Sequence, residues 1–202
     1  MRDAVAKSAG SARAHANLGI AYRSEAMPGL ALAEYQRAIS LKPDDPYTYG
    51  FLGKLYYDTG QFPKAEKVLI EALRLNPKNA EVHFILGFVY KRQNRTELAI
   101  REFLKVIEID RSFLEGYVIL GEEYTLQNRT DLAINYFRQA LVIDPGDGLS
   151  RLNVASLLER QGDIAQAVVE YNRVLEQSPS RNENRFAIEK AREQLSRLRK
   201  TP

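Results

Sequence analysis

A 34-residue period limits what this chain can fold into more than any other feature of its sequence. Residues 86–100, LGFVYKRQNRTELAI, return 34 residues later as LGEEYTLQNRTDLAI, residues 120–134. In the same register Gly19, Gly53, Gly87 and Gly121 form a column that Ala155 completes, each preceded by Leu18, Leu52, Leu86, Leu120 or Val154. Three residues after the column stand Tyr22, Tyr56, Tyr90, Tyr124 and Leu158, and twelve after it Ala31, Ala65, Ala99, Ala133 and Ala167. Four further on come Tyr35, Leu69, Phe103, Phe137 and Tyr171, and then Ala38, Ala72, Val106, Ala140 and Val174. Pro43, Pro77, Arg111, Pro145 and Pro179 make the last column. Within each unit apolar residues recur at helical spacing over two segments of about 13 to 15 residues, split by a short turn. Small residues let the two helices approach closely, and the aromatic rings fill the space around the contact.

The turn between the helices carries Gly60, Asn94, Asn128 or Gly162, types that tolerate positive φ and stop a helix. Thr96 and Thr130 follow two residues later and are expected to cap the next helix, with Asp163 doing so in the last unit. The first unit has Ala26 at the turn position, with Pro28 and Gly29 just after, so its turn is expected to be distorted.

These offsets resemble the tetratricopeptide repeat family, a helix-turn-helix motif with small, aromatic and proline residues in the same places. The register gives repeats at 12–45, 46–79, 80–113, 114–147 and 148–181. The resemblance implies an all-α fold, an α-solenoid wound as a right-handed superhelix. Residues 182–202 read as a C-terminal capping helix and basic tail, with an apolar stripe at Ile188, Ala191, Leu195 and Leu198. Residues 1–11 read as an N-terminal segment or the remnant of a preceding helix. Ala4 and Val5 fall in register with the second helix of an earlier repeat, which suits either a longer array or an unrelated leader.

Composition removes several function classes. The chain is 45% hydrophobic and 27% charged, ordinary for a folded protein. Its net charge of +3 is uneven: residues 181–202 hold seven Lys/Arg and three Asp/Glu, so the body before them is near neutral and lacks the basic surface nucleic-acid binding needs. No apolar run approaches the roughly 18 residues of a membrane span. A cytoplasmic chain is expected, or a periplasmic one if a leader was removed, and the single-array look suggests a bacterial system. Cysteine is absent, which excludes disulfides, thiolate metal sites and a cysteine nucleophile.

No catalytic constellation, metal site or cofactor motif emerges. His15 and His83 are the only histidines and lie two periods apart, four residues before the glycine column, where Tyr49, Tyr117 and Arg151 stand in the other repeats. Equivalent packing positions on separate helices suit structure better than shared chemistry. Gly146 and Gly148 in DPGDG read as a junction turn. The adjacent carboxylates Glu122/Glu123 and the nearby pair Glu108/Asp110 read as a solvated face.

The resemblance implies that the first helix of each repeat lines a concave groove that binds protein. At about 100° per residue, positions 2, 5, 9 and 12 of a repeat share a face away from its packing positions. This face carries Arg13, Ala16, Ile20 and Arg23, then Tyr47, Gly50, Lys54 and Tyr57, then Glu81, Phe84, Phe88 and Lys91. Repeats four and five supply Glu115, Val118, Glu122 and Thr125, then Leu149, Leu152, Ser156 and Glu159. The helix HFILGFVYK is apolar nearly all round, which makes Phe84 and Phe88 candidate anchors for a peptide, an amphipathic helix or a second copy of the chain. The candidate site is Tyr47, Lys54, Tyr57, Phe84, Phe88, Lys91, Arg92, Val118 and Glu122.

Adding position 13, repeats one to three contribute Arg13, Arg23, Lys54, Lys91 and Arg92 against Asp58 and Glu81, which predicts a protein partner with an acidic segment over them. Family members that take chaperone tails carry Lys and Asn at positions 5 and 9 of their first repeat. Ala16 and Ile20 stand there, and Phe51 stands where the second repeat would need another Asn, so that role is disfavoured. The leading expectation is a non-enzymatic protein-binding scaffold, an adaptor or assembly factor. A self-assembling structural protein, forming a homo-oligomer, and the regulatory part of a longer enzyme are the alternatives.

Overall fold

The computed structural model describes residues 11–176 and 182–199. The expectations for Ala4, Val5, Pro179 and the end of the basic tail lie outside them. The described residues form eleven α-helices and no strand, an all-α fold of the α-solenoid class. The chain divides into two compact units, Met1–Asp110 and Arg111–Pro202.

The first unit holds three hairpins: α1 (Ala12–Ser24) with α2 (Pro28–Leu41), α3 (Pro46–Asp58) with α4 (Phe62–Leu75), and α5 (Ala80–Arg92) with α6 (Thr96–Ile109). Between hairpins α2 packs on α3 and α4 on α5, while the first helices α1, α3 and α5 also meet their neighbours. The glycine column marks where the second helix inserts its largest side chain. A Cβ on Gly19 would stand 2.5 Å from the ring of Tyr35, and one on Gly87 2.5 Å from that of Phe103. Leu69 lies against Gly53 in the same way. All three inserted side chains are fully buried.

The second unit holds α7 (Leu114–Leu126) with α8 (Thr130–Ile143), α9 (Gly148–Arg160) with α10 (Ile164–Leu175), and α11 (Asn182–Leu198). Phe137 repeats the insertion, 2.8 Å from a Cβ placed on Gly121. Helix α11 packs on α9 and α10 and buries Ile188, Ala191 and Leu195 of the stripe read from its sequence, with Ala187 in addition, while Leu198 is partly exposed. Asn184 on α11 accepts a hydrogen bond from the Gly148 amide at 3.0 Å, and its Oδ1 would be 2.5 Å from any Cβ there. Gly148 is thus demanded by a close approach, not by a left-handed turn.

All five hairpins turn the same way. The turn residue is left-handed throughout: Ala26 (φ 56°), Gly60 (73°), Asn94 (59°), Asn128 (57°) and Gly162 (84°). The next residue's amide then reaches back to the carbonyl five residues earlier, Met27 to Tyr22 at 2.8 Å and Gln61 to Tyr56 at 2.8 Å, as in a Schellman cap. The distortion expected at Ala26 is therefore absent. Pro28 fits because it is the first helical residue, where no amide donor is needed. Ala26 bears a left-handed conformation that costs an L-residue about 1–2 kcal/mol. Ala26→Gly should raise stability by about 1 kcal/mol, since glycine relieves that strain but loses more chain entropy. Urea titration followed by circular dichroism checks it.

Thr96 and Thr130 do not cap. They are already the first helical residues, and the boundary positions are Arg95 and Arg129, which make no side-chain capping bond. The left-handed residue moves the boundary one place earlier, and those arginines lie instead over the rings of Tyr90 and Tyr124 at 4.5 and 4.9 Å. Asp163 does cap, accepting from Gln166 N at 3.1 Å. The first helices carry their own column of caps, Ser11, Asp45, Asn79 and Asp147, with Phe113 the exception.

Candidate protein-binding face

On the first-helix face of the first unit, the four positions expected to line a groove separate into two kinds. Ala16 and Gly50 are buried, which corrects their reading as open lining. Position 5 faces the neighbouring hairpin: a Cβ on Gly50 would meet Val82 at 3.2 Å. In this unit Phe84 is the one residue at that position that reaches out, and it is partly exposed. Tyr47 is 59% exposed and Arg92 is exposed. Lys54, Tyr57, Phe88 and Lys91 are partly buried.

Three of these residues come together. Phe84 and Phe88 meet edge to face, with ring centroids 4.9 Å apart at 86°. Both rest on Phe103, at 5.8 and 5.3 Å, and Tyr57 closes on Phe88 at 6.4 Å. Edge-to-face contacts of this kind bring the positive ring edge to the negative face of the next and hold the rings in fixed orientation. Two members escape a reading of the sequence. Phe62 packs on Tyr57 at 5.9 Å and carries the Arg92 guanidinium over its ring at 5.3 Å, a cation–π contact. Its repeat position holds Pro28, Thr96, Thr130 and Ile164 elsewhere, so periodicity gives no signal. Phe103 reads from its column only as core, yet it is the floor on which the two partly exposed rings stand.

Arg23 and Asp58 pair at 2.8 Å, which removes one charge of each sign from the face. Arg13, Lys54 and Arg92 then stand against Glu81, so the balance is still positive without counting Lys91. In the second unit Val118 is partly buried and Glu122 exposed. There Glu159 accepts a hydrogen bond from the Tyr171 hydroxyl at 2.8 Å and an ion pair from Arg197 of α11, so the C-terminal helix covers that lining position.

The histidines are structural partners of carboxylates 19 residues on. His15 Nδ1 lies 2.6 Å from Glu34, and His83 Nδ1 lies 2.6 Å from Glu102 while its Nε2 faces the Pro77 carbonyl at 3.0 Å. Arg151 does the same in the fifth repeat, bonding Glu170 at 3.3 Å and the Pro145 carbonyl at 3.0 Å. Burial pushes the Glu102 carboxyl up, but hydrogen bonds from His83 and Lys105, reinforced by their charges, hold it below its ordinary value. Among the described residues no group of three or more His, Asp or Glu is placed to hold a metal ion.

Tandem helical hairpins with one helix face left to solvent define a class of helical repeat protein that serves as a protein–protein interaction scaffold. Family models described as TPR repeat and Tetratricopeptide repeat match residues 53–94, 120–182, 12–45 and 80–113. The chain belongs to the tetratricopeptide repeat family, whose members are generally non-enzymatic. Comparison with curated protein sequences gives no match. Among solved structures it is similar to MamA, at 24% identity and TM-score 0.73, covering 82% of this chain and 90% of that one. It is similar to YrrB, described as a TPR protein with an unusual peptide-binding site, at 19% identity and TM-score 0.70, covering 93% and 97%. PilF of Pseudomonas aeruginosa aligns at 21% identity and TM-score 0.72, covering 88% and 81%. Likeness at these identities is likeness of fold. No helix among the described residues is long and apolar enough to cross a membrane.

Proposed function

We propose that the chain is a non-enzymatic adaptor or assembly factor that grips a segment of a partner protein on the first-helix face of residues 11–110. The observation that carries this reading is the partly exposed pair Phe84 and Phe88, held edge to face on a fully buried Phe103. Rings whose orientation is fixed before binding lose little freedom when covered, which is what makes aromatic residues effective anchors. Lys54, Lys91 and Arg92 beside them favour a partner segment with acidic residues between its apolar ones. The peptide-binding site ascribed to YrrB is consistent with this use of the fold.

A second reading, self-assembly, has its own support. Leu18 is 42% exposed, whereas Leu52 and Leu86 in the same column are 5% and 2% exposed, so an apolar side chain is open to contact on α1. Light scattering separates the two. A monomer at high concentration rejects self-assembly, and a stable dimer broken by Phe88→Glu rejects a free binding face. The direct test is affinity capture from the native source with Phe84→Ala/Phe88→Ala as control. A partner retained by the wild-type chain should be recovered about tenfold less well, since an anchor residue is worth at least about 1.4 kcal/mol. Equal recovery would reject the aromatic face as the binding site.

A further inference from the structure

A cleft of about 470 Å³ opens between the start of α1 and the α2–α3 junction, away from the Phe84/Phe88 cluster. That volume falls within the range of small-ligand and side-chain pockets. Phe51 forms one wall, its orientation set by stacking on the fully buried Tyr35 with centroids 6.2 Å apart at 25°. Tyr47 forms the other and is the most exposed tyrosine of the face. Arg13, Asn17 and Lys42 line the polar side. Both cations are exposed, and neither has an ion pair with any described residue. Asp45 also borders the cleft, but its Oδ2 is committed to capping α3, accepting from Thr48 N at 3.1 Å and Thr48 Oγ1 at 2.5 Å. The equivalent places one repeat later hold Tyr47, Asn76 and Glu81, so the convergence of two cations belongs to this cleft and not to the repeat pattern.

We propose that this cleft is a second recognition subsite, which takes an acidic side chain of the bound segment together with an apolar neighbour. The carboxylate would sit between Arg13 and Lys42, with the Asn17 amide as a further donor. A neighbouring aromatic or aliphatic side chain would lie between Tyr47 and Phe51. Asp45 lowers the formal charge of the cleft to +1, enough to attract one carboxylate. Charge-assisted hydrogen bonds from two cations that have no ion pair among the described residues are the strong kind, so the carboxylate and not the apolar contact should decide which segment is accepted. The inference rests on the reading of the first-helix face as a protein-binding surface.

The test is an NMR titration of the ¹⁵N-labelled full chain with acetyl-Gly-Phe-Glu-Phe-Gly-amide, its Gln counterpart and its phosphoserine counterpart. The Glu peptide should cause saturable shifts at Arg13, Asn17, Tyr47 and Phe51, with the Gln peptide binding about tenfold more weakly. Arg13→Glu/Lys42→Glu should abolish the preference, and Arg13→Ala/Lys42→Ala should reduce it. Equal affinity for Glu and Gln, tighter binding of the phosphoserine peptide, or no saturable shift at these residues would overturn the proposal. Shifts confined to Tyr57, Phe84 and Phe88 would overturn it too, while leaving the aromatic face as the binding surface.

Discussion

Phe103→Ala should destabilise the first unit by about 3–5 kcal/mol, the cost of emptying a fully buried aromatic site. The ring is 0% exposed and fills the space over Gly87, where not even a Cβ can enter beside it. Helix α5 has no side chain of its own to refill that space, so collapse would require the two helices to shift together. Phe103→Leu should cost less, because Leu69 already occupies the corresponding place over Gly53 one repeat earlier. Denaturant titration of the three proteins measures both. The same substitution removes the surface on which Phe84 and Phe88 rest, so partner capture should fall even where the variant remains folded. A stability loss below about 1 kcal/mol would mean that the hairpin is not held by this insertion.

Glu102→Gln should cost about 2 kcal/mol at neutral pH, because it leaves the buried His83 without its carboxylate partner. The carboxyl is held below its ordinary value in the folded chain, so it binds a proton more readily once unfolded. Its contribution is therefore fully present above the unfolded value, near 4.3, and is lost as pH falls through the lower folded one. Three groups face it: His83 and Tyr90 on α5, and Lys105 on its own helix. Urea midpoints of wild type and variant, taken between pH 7 and pH 3, should converge on the acid side. A gap that stayed constant over that range would show that the carboxylate's charge does not stabilise the fold.

The fold class is legible in the sequence because the glycine, alanine and aromatic columns report one contact repeated along the chain, and small residues recurring at fixed offsets require that two helices approach closely. The turns are legible for the same reason at Gly60, Asn94, Asn128 and Gly162. Ala26 misleads because residue type is a poor guide to conformation there: a turn of the same length as the other four imposes the left-handed geometry on whatever stands in it. The capping threonines mislead by one residue, a shift set by that same geometry. The candidate face is legible only in part. Angular position on one helix cannot reveal that the next hairpin covers Ala16 and Gly50, nor that Phe62, outside the repeat pattern, swings in beside Tyr57. Lys42 and Asn17 meet Arg13 through a junction between hairpins, which no single-helix pattern describes.

The clasps at His15–Glu34, His83–Glu102 and Arg151–Glu170 occur in every second hairpin, with Tyr49 and Tyr117 holding the same place in the two between. In the third and fifth the basic group also binds a carbonyl of the preceding loop, so it ties its hairpin to that loop. Neighbouring hairpins are thus not interchangeable parts, although the columns make them look so. Shortening or lengthening such an array by whole pairs would keep clasped and tyrosine-bearing hairpins alternating, while changing it by one would set like against like.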